Sequence, residues 1–151
     1  MRKFASVEAL QAEVGKEVAV SDWLEITQER VNQFAQATDD AQWIHVDVER
    51  AKRASPFGGT IAHGFLTLSL LPKFLEEQID LPPGSMSINY GLNKVRFPAP
   101  MVVGGRVRGR FSLLALEKIE GGVQTIWQVT MEREGSDKPV CVAESVLRKY
   151  F

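Results

Sequence analysis

Apolar residues recur along the chain in two rhythms, and the change of rhythm divides it. Over the first third the spacing is helical. Ser6 can cap a helix whose apolar face is Val7, Leu10 and Val14, with Gly15 as its stop. Val18 and Val20 then alternate as a short strand. Thr27 is a second cap, and Val31, Phe34 and Ala35 follow at helical spacing until about Thr38. Asp39 to His45 has no period and reads as a loop. Asp47 can cap a further short helix ending near Ala54. Ser55-Pro56-Phe57-Gly58-Gly59 is a strong break. From Ile61 to Leu75 the chain is apolar almost all round, which predicts a helix buried on most sides. Pro72 lies inside it and should kink it or end its regular part.

After the Asp80-Leu81-Pro82-Pro83-Gly84 cluster the period becomes two. A strand is expected from Ser85 to about Phe97, with Met86, Ile88 and Tyr90 alternating. Its apolar phase shifts to Val95 and Phe97, which implies a bulge near Asn93. A second strand carries Val107, Phe111 and Leu113. Gly121-Gly122 marks a tight hairpin into a third, with Val123, Thr125, Trp127, Val129 and Met131. Gly135-Ser136 turns into a final strand with Val140, Val142 and Val146. An antiparallel meander needs one face covered, and the apolar helix is the element able to cover it. The class is α+β, a sheet wrapped around a central helix.

With 151 residues the chain suits one domain, 1–151, able to bury a core without staples. A net charge of −1 gives no field to hold a polyanion, so a nucleic-acid partner is not expected. The one cysteine, Cys141, lies in a strand pattern and reads as a small core residue. The N-terminus lacks a signal-peptide core, and the longest apolar run, around Phe65 to Leu71, is too short to span a bilayer. A cytoplasmic location and no membrane partner are the expectations.

Candidate chemistry gathers in two places. Asp40 and His45 sit five apart in the loop and can converge on one water. Imidazole titrates near neutrality, and a carboxylate can orient it or share its proton. By spacing alone the commoner outcome is a turn cap and an unremarkable histidine. Gly58-Gly59-Thr60-Ile61-Ala62-His63-Gly64 precedes the apolar helix. Its glycines allow close approach of a ligand, and a helix start offers free N–H groups for a carbonyl oxygen becoming an enolate. A tight turn accounts for the same glycines equally well. Thr67 and Ser69 most simply bond to their own helix. Two histidines and scattered carboxylates lack the spacing of a metal site, so no metal is expected.

These blocks carry a resemblance. Asp40-x-x-x-x-His45, after a helix ending Phe34-Ala35-x-x-Thr38, resembles the hydratase motif of MaoC-like dehydratases, which include the (R)-specific enoyl-CoA hydratases. Phe57 to Phe65 looks like that family's central-helix signature, and Ile88 to Pro100 is similar to its following strand. Gln42-Trp43-Ile44-His45-Val46-Asp47 is closest to the nodulation-protein-N-like branch. The resemblance covers nearly the whole chain and raises the catalytic reading of Asp40 and His45 above the bland one. It implies a hot-dog fold, a homodimer joined edge to edge, and reversible syn hydration of trans-2-enoyl-CoA to (R)-3-hydroxyacyl-CoA, with no cofactor beyond the CoA thioester itself. Asp40 and His45 would activate water, and the Gly64 N–H would hold the thioester oxygen. Gln42, His63 and Ser69 are possible supporting residues.

The chain departs from the motif Gly-Asp-x-Asn-Pro, having Asp39, Gln42 and Trp43 at the glycine, asparagine and proline positions. An inward Asp39 would raise a neighbouring acid's pKa, whereas an outward one would change little. Lys94, Arg96 and Arg106 are candidates to meet CoA phosphates, against the commoner role of solvated surface charge. The alternatives are a hot-dog acyl-CoA thioesterase and a non-catalytic acyl-CoA-binding subunit.

Overall fold

The computed structural model describes residues 1–84 and 86–151. Its elements in chain order are β1 (Arg2–Lys3), α1 (Val7–Gln11), β2 (Glu17–Val20), β3 (Leu24–Glu25), α2 (Gln28–Thr38), α3 (Trp43–Val46) and α4 (Val48–Ala54). There follow α5 (Gly64–Ser69), α6 (Leu71–Gln78), β4 (Ile79–Asp80), β5 (Met86–Arg96), β6 (Arg106–Ile119), β7 (Gly122–Arg133) and β8 (Cys141–Tyr150). The three caps expected from sequence are made. Ser6 accepts from the Ala9 N–H, Thr27 from Arg30 and Asp47 from Arg50.

The main sheet has the order β2-β6-β7-β8-β5, with β3 also paired to β6. All of these pairs are antiparallel. Gly121, at φ 74°, makes the hairpin between β6 and β7, a conformation that side chains with a Cβ rarely adopt. β5 pairs with β8 rather than with β6, its neighbour in sequence. The connection from Pro98 to Gly105 carries the chain across, and on the way Val102 bridges to Ile61. The register of β5 slips once between Asn89 and Gly91 and again between Leu92 and Lys94, so the expected bulge near Asn93 is one of two. The expected start of this strand at Ser85 lies outside the described residues.

The apolar helix differs from expectation in two ways. It starts at Gly64, because Ile61 and Ala62 are in extended pairing with Val102 and Met101. It is also two segments meeting at Leu70. Pro72 explains the break: with no N–H it cannot bond back to the preceding turn, but it is tolerated in the first turn of a new helix. Burial is one-sided as well. Leu66, Thr67, Leu70, Leu71, Phe74 and Leu75 face the sheet, while Phe65 is exposed.

The sheet curls over these segments. Phe74 of α6, Phe111 and Leu113 of β6, and Trp127 and Met131 of β7 form one core cluster. A fully buried side chain of this kind contributes about 1.5–3 kcal/mol. Cys141 belongs to the same core, and burial pushes its thiol up to about 11, which leaves it inert at neutral pH. Arg106 is paired with Glu134, and Arg96 donates to the carbonyl of Val95. Lys94 is exposed. Among the described residues no helix is long and apolar enough to cross a membrane.

Candidate active site

The site begins with how α2 ends. Val31 and Ala35 bury one face of this helix, and Asp39 closes it in the left-handed conformation at φ 59°. That conformation suits glycine, and Asp is among the few other residues that tolerate it. The glycine of the family motif therefore answers a backbone need, which Asp39 meets at some strain. The Asp39 side chain is on the exposed surface beside α2.

The turn at Asp39 redirects the chain into α3, where a loop was expected. This single turn bonds the His45 N–H to the Gln42 carbonyl and the Asp47 N–H to the Trp43 carbonyl, both at 3.0 Å. It turns the His45 ring inward until the residue is 7% exposed. The ring Nδ1 donates to the carbonyl of Ile61 at 2.7 Å, and the Ile61 N–H returns a bond to Ile44 at 3.0 Å. A carbonyl only accepts, so Nδ1 carries the proton and Nε2 keeps a lone pair.

His63 was expected only to support the site, yet it lies at its centre. Its ring stacks on His45 with centroids 3.8 Å apart and planes at 24°. Phe34 backs it from 4.9 Å. His63 Nε2 donates to the Asp40 main-chain carbonyl at 2.9 Å and lies 4.0 Å from Asp40 Oδ2. His63 Nδ1 is buried with no hydrogen-bond partner. One Asp40 carboxylate oxygen and one ring nitrogen from each histidine lie within 4.8 Å of one another. Asp40 itself is half-exposed, and its Oδ1 receives a long 3.5 Å contact from the Gln42 N–H.

Burial holds the His45 pKa below the ordinary histidine value, and neighbouring His63 pushes the same way. The bond to Ile61 and the Asp40 carboxylate oppose this more weakly. A neutral imidazole with a free Nε2 beside a carboxylate can take a proton from water. Each ring donates one nitrogen to a carbonyl and keeps the other as an acceptor, so Asp40, His45 and His63 bring together three ligand-type atoms that their spacing in sequence did not foretell.

Gly64 follows His63 and opens α5, so its N–H has no acceptor within the helix. A Cβ here would sit 3.0 Å from the Phe97 ring, so glycine lets that ring close over the amide. Gly64, Thr67, Phe97 and Met101 line a hollow of about 280 Å³. Ser69 opens instead onto a groove of about 370 Å³ with Asn89, Leu92 and Ser145, and its hydroxyl donates to Leu66 at 2.7 Å. It shares no hydrogen bond with Asp40 or His45. Gln42 contributes its main chain.

A model of the MaoC like domain matches residues 9–134. The chain belongs to the MaoC-like dehydratase family. Among curated relatives of this MaoC-like chain is 3-hydroxyacyl-thioester dehydratase Z of Mycobacterium tuberculosis (strain ATCC 25618 / H37Rv), 56% identical over 98% of each protein. Another is nodulation protein N of Rhizobium meliloti (strain 1021), 44% identical over 91% of this chain and 87% of the relative. Among solved structures, R-hydratase PhaJ1 from Pseudomonas aeruginosa superimposes with a TM-score of 0.71 at 23% identity, covering 91% of this chain and 82% of that one. The hot-dog fold and the nodulation-protein-N-like likeness expected from sequence are both found, and the protein is a MaoC-like hydro-lyase with dehydratase/hydratase activity.

Two residues of this MaoC-like site were not foreseen. Gln28 and Thr60 are far apart in sequence; Thr60 bonds to Gln28, and Gln28 bonds to the His45 carbonyl. Nothing in their local pattern marks them, because each contact spans 17 or more residues.

Proposed function

We propose that the protein catalyses the reversible syn hydration of a trans-2-enoyl-CoA to an (R)-3-hydroxyacyl-CoA. The observation that carries this reading is the convergence of Asp40, His45 and His63 within 4.8 Å, next to the helix start at Gly64. The 3-hydroxyacyl-thioester dehydratase named among its relatives supports the same substrate class.

In this reading a water is held between the Asp40 carboxylate and His45 Nε2. His45 removes a proton as the water oxygen bonds to the β-carbon. The π electrons of the double bond move toward the thioester, and the Gly64 N–H receives the oxygen of the resulting enolate. The proton on His45 then passes to the α-carbon from the same face, and the imidazole is neutral again. His63 fixes Asp40 through its main-chain carbonyl. The chemistry needs only water and the thioester.

The subunit partner is a second copy of this chain, joined along β5. That strand is the sheet's outer edge, and Met86, Ile88, Tyr90 and Leu92 on it are all exposed. An apolar edge of this length calls for a partner strand. Sedimentation at twice the chain mass checks this. The reading places the enzyme in the cytoplasm, with CoA as the carrier.

The deciding assay follows hydration of enoyl-CoA substrates across chain lengths. His45→Ala and Asp40→Asn are expected to lower kcat by about 10²–10⁴-fold while the fold is kept. Full turnover in both variants rejects the roles. Release of free CoA thiol in place of hydration makes the enzyme a thioesterase.

A further inference from the structure

We infer that Gln28 is a positioning residue for His45, acting as an external clamp on the one-turn helix that presents the imidazole. This rests on the reading of His45 as the acid–base group.

α3 is four residues long, too short to hold itself by its own hydrogen bonds. Its last carbonyls have no partner within the helix. Gln28, the first residue of α2, supplies one: its Nε2 donates to the His45 carbonyl at 2.7 Å. The second amide proton goes to Asn32 Oδ1 at 2.9 Å, one turn along α2. Gln28 Oε1 accepts from the Thr60 hydroxyl at 2.6 Å. The His45 carbonyl can only accept, which fixes which end of the amide faces it.

The contacts close a ring. Gln28 holds the His45 main chain, the His45 ring holds the Ile61 carbonyl, Ile61 adjoins Thr60, and Thr60 returns to Gln28. Thr60 is itself fixed, being buried and receiving the Val103 N–H on its carbonyl at 3.0 Å. With both the main chain and the side chain of His45 tied to the same frame, the imidazole cannot turn without breaking a short bond. A misplacement of about 1 Å at a catalytic group can lower a rate by about 10²-fold.

The test is Gln28→Met, which keeps length and removes all three bonds. Hydration kcat is expected to fall about 10- to 100-fold, with KM within about threefold, in a variant that stays folded. The acid limb of the kcat–pH profile is expected to move to higher pH, because a loosened His45 is better hydrated and returns toward its ordinary value. Gln28→Glu can still accept from Thr60 but cannot donate to His45, so it should behave like Gln28→Met. Thr60→Val should lose less.

Wild-type kcat and pH profile in folded Gln28→Met overturn the inference. So does a variant that merely unfolds more readily, with the profile unmoved. If Gln28→Met does not fold, the same readouts on Gln28→Glu and Thr60→Val decide. His45→Ala, assayed alongside, separates the two claims. An active His45→Ala removes the acid–base reading and the clamp with it, whereas an inactive one beside a normal Gln28→Met removes the clamp alone.

Discussion

β7 and the α2–α3 segment hold their key residues by opposite means. In β7 every second residue from Val123 to Met131 is buried, and Trp127 needs only one polar partner, Thr125 at 2.9 Å. In and against α2–α3 the site residues are fixed by hydrogen bonds to main-chain carbonyls: His45 to Ile61, His63 before α5 to Asp40, Gln28 to His45. The first arrangement is non-directional and tolerates small adjustments. The second sets angles, which acid–base chemistry requires and burial alone does not provide. Stability and catalysis should therefore separate cleanly between the two regions.

The largest expected effect is in β7. Trp127→Ala should lower the unfolding free energy by about 3–5 kcal/mol in a urea titration. Hydration per folded molecule should remain close to wild type. A greater loss of activity than of folded protein would join the two regions that the structure separates.

A smaller effect, and one confined to the loop, comes from His45. Its native pKa is lowered, so below the ordinary histidine value of about 6.5 the unfolded chain takes a proton that the native ring refuses. Stability should fall as pH drops from there to the native pKa and level off below it. Melting temperature against pH for wild type and His45→Gln checks this, since the variant lacks that component. The acid limb of kcat/KM should likewise lie below about 6.5.

The smallest effect concerns the backbone that joins α2 to the site. Asp39→Gly relieves a left-handed residue and should stabilise by about 0.5 kcal/mol, whereas Asp39→Ala should cost about 1 kcal/mol. Both should keep kcat within about twofold, because the Asp39 side chain is on the outside. A large loss of turnover in Asp39→Gly would instead give that carboxylate a part in the chemistry.

The alternation of Val123, Thr125, Trp127, Val129 and Met131, the caps Ser6, Thr27 and Asp47, and the turn at Gly121 were all legible in sequence, because each is a local pattern with a local cause. The closeness of Asp40 to His45 was also legible, by resemblance to a motif. The helical turn around His45 was not, since four residues without a cap carry no periodic signal. Nor was the central place of His63, which arises only when the segment at Ile61 pairs with Val102 and delivers the ring onto His45.

By itself the sequence determined the buried alternation of β7, the helix starts capped by Ser6, Thr27 and Asp47, and which side chains could do acid–base chemistry. Tertiary structure alone decided that β5 lies beside β8, that the apolar helix divides at Leu70, and that Gln28, Thr60 and His63 gather around His45. The reason is one of range. Capping and periodicity act within a few residues, while a hydrogen bond from Gln28 to His45 or Thr60 exists only after the intervening chain has folded back.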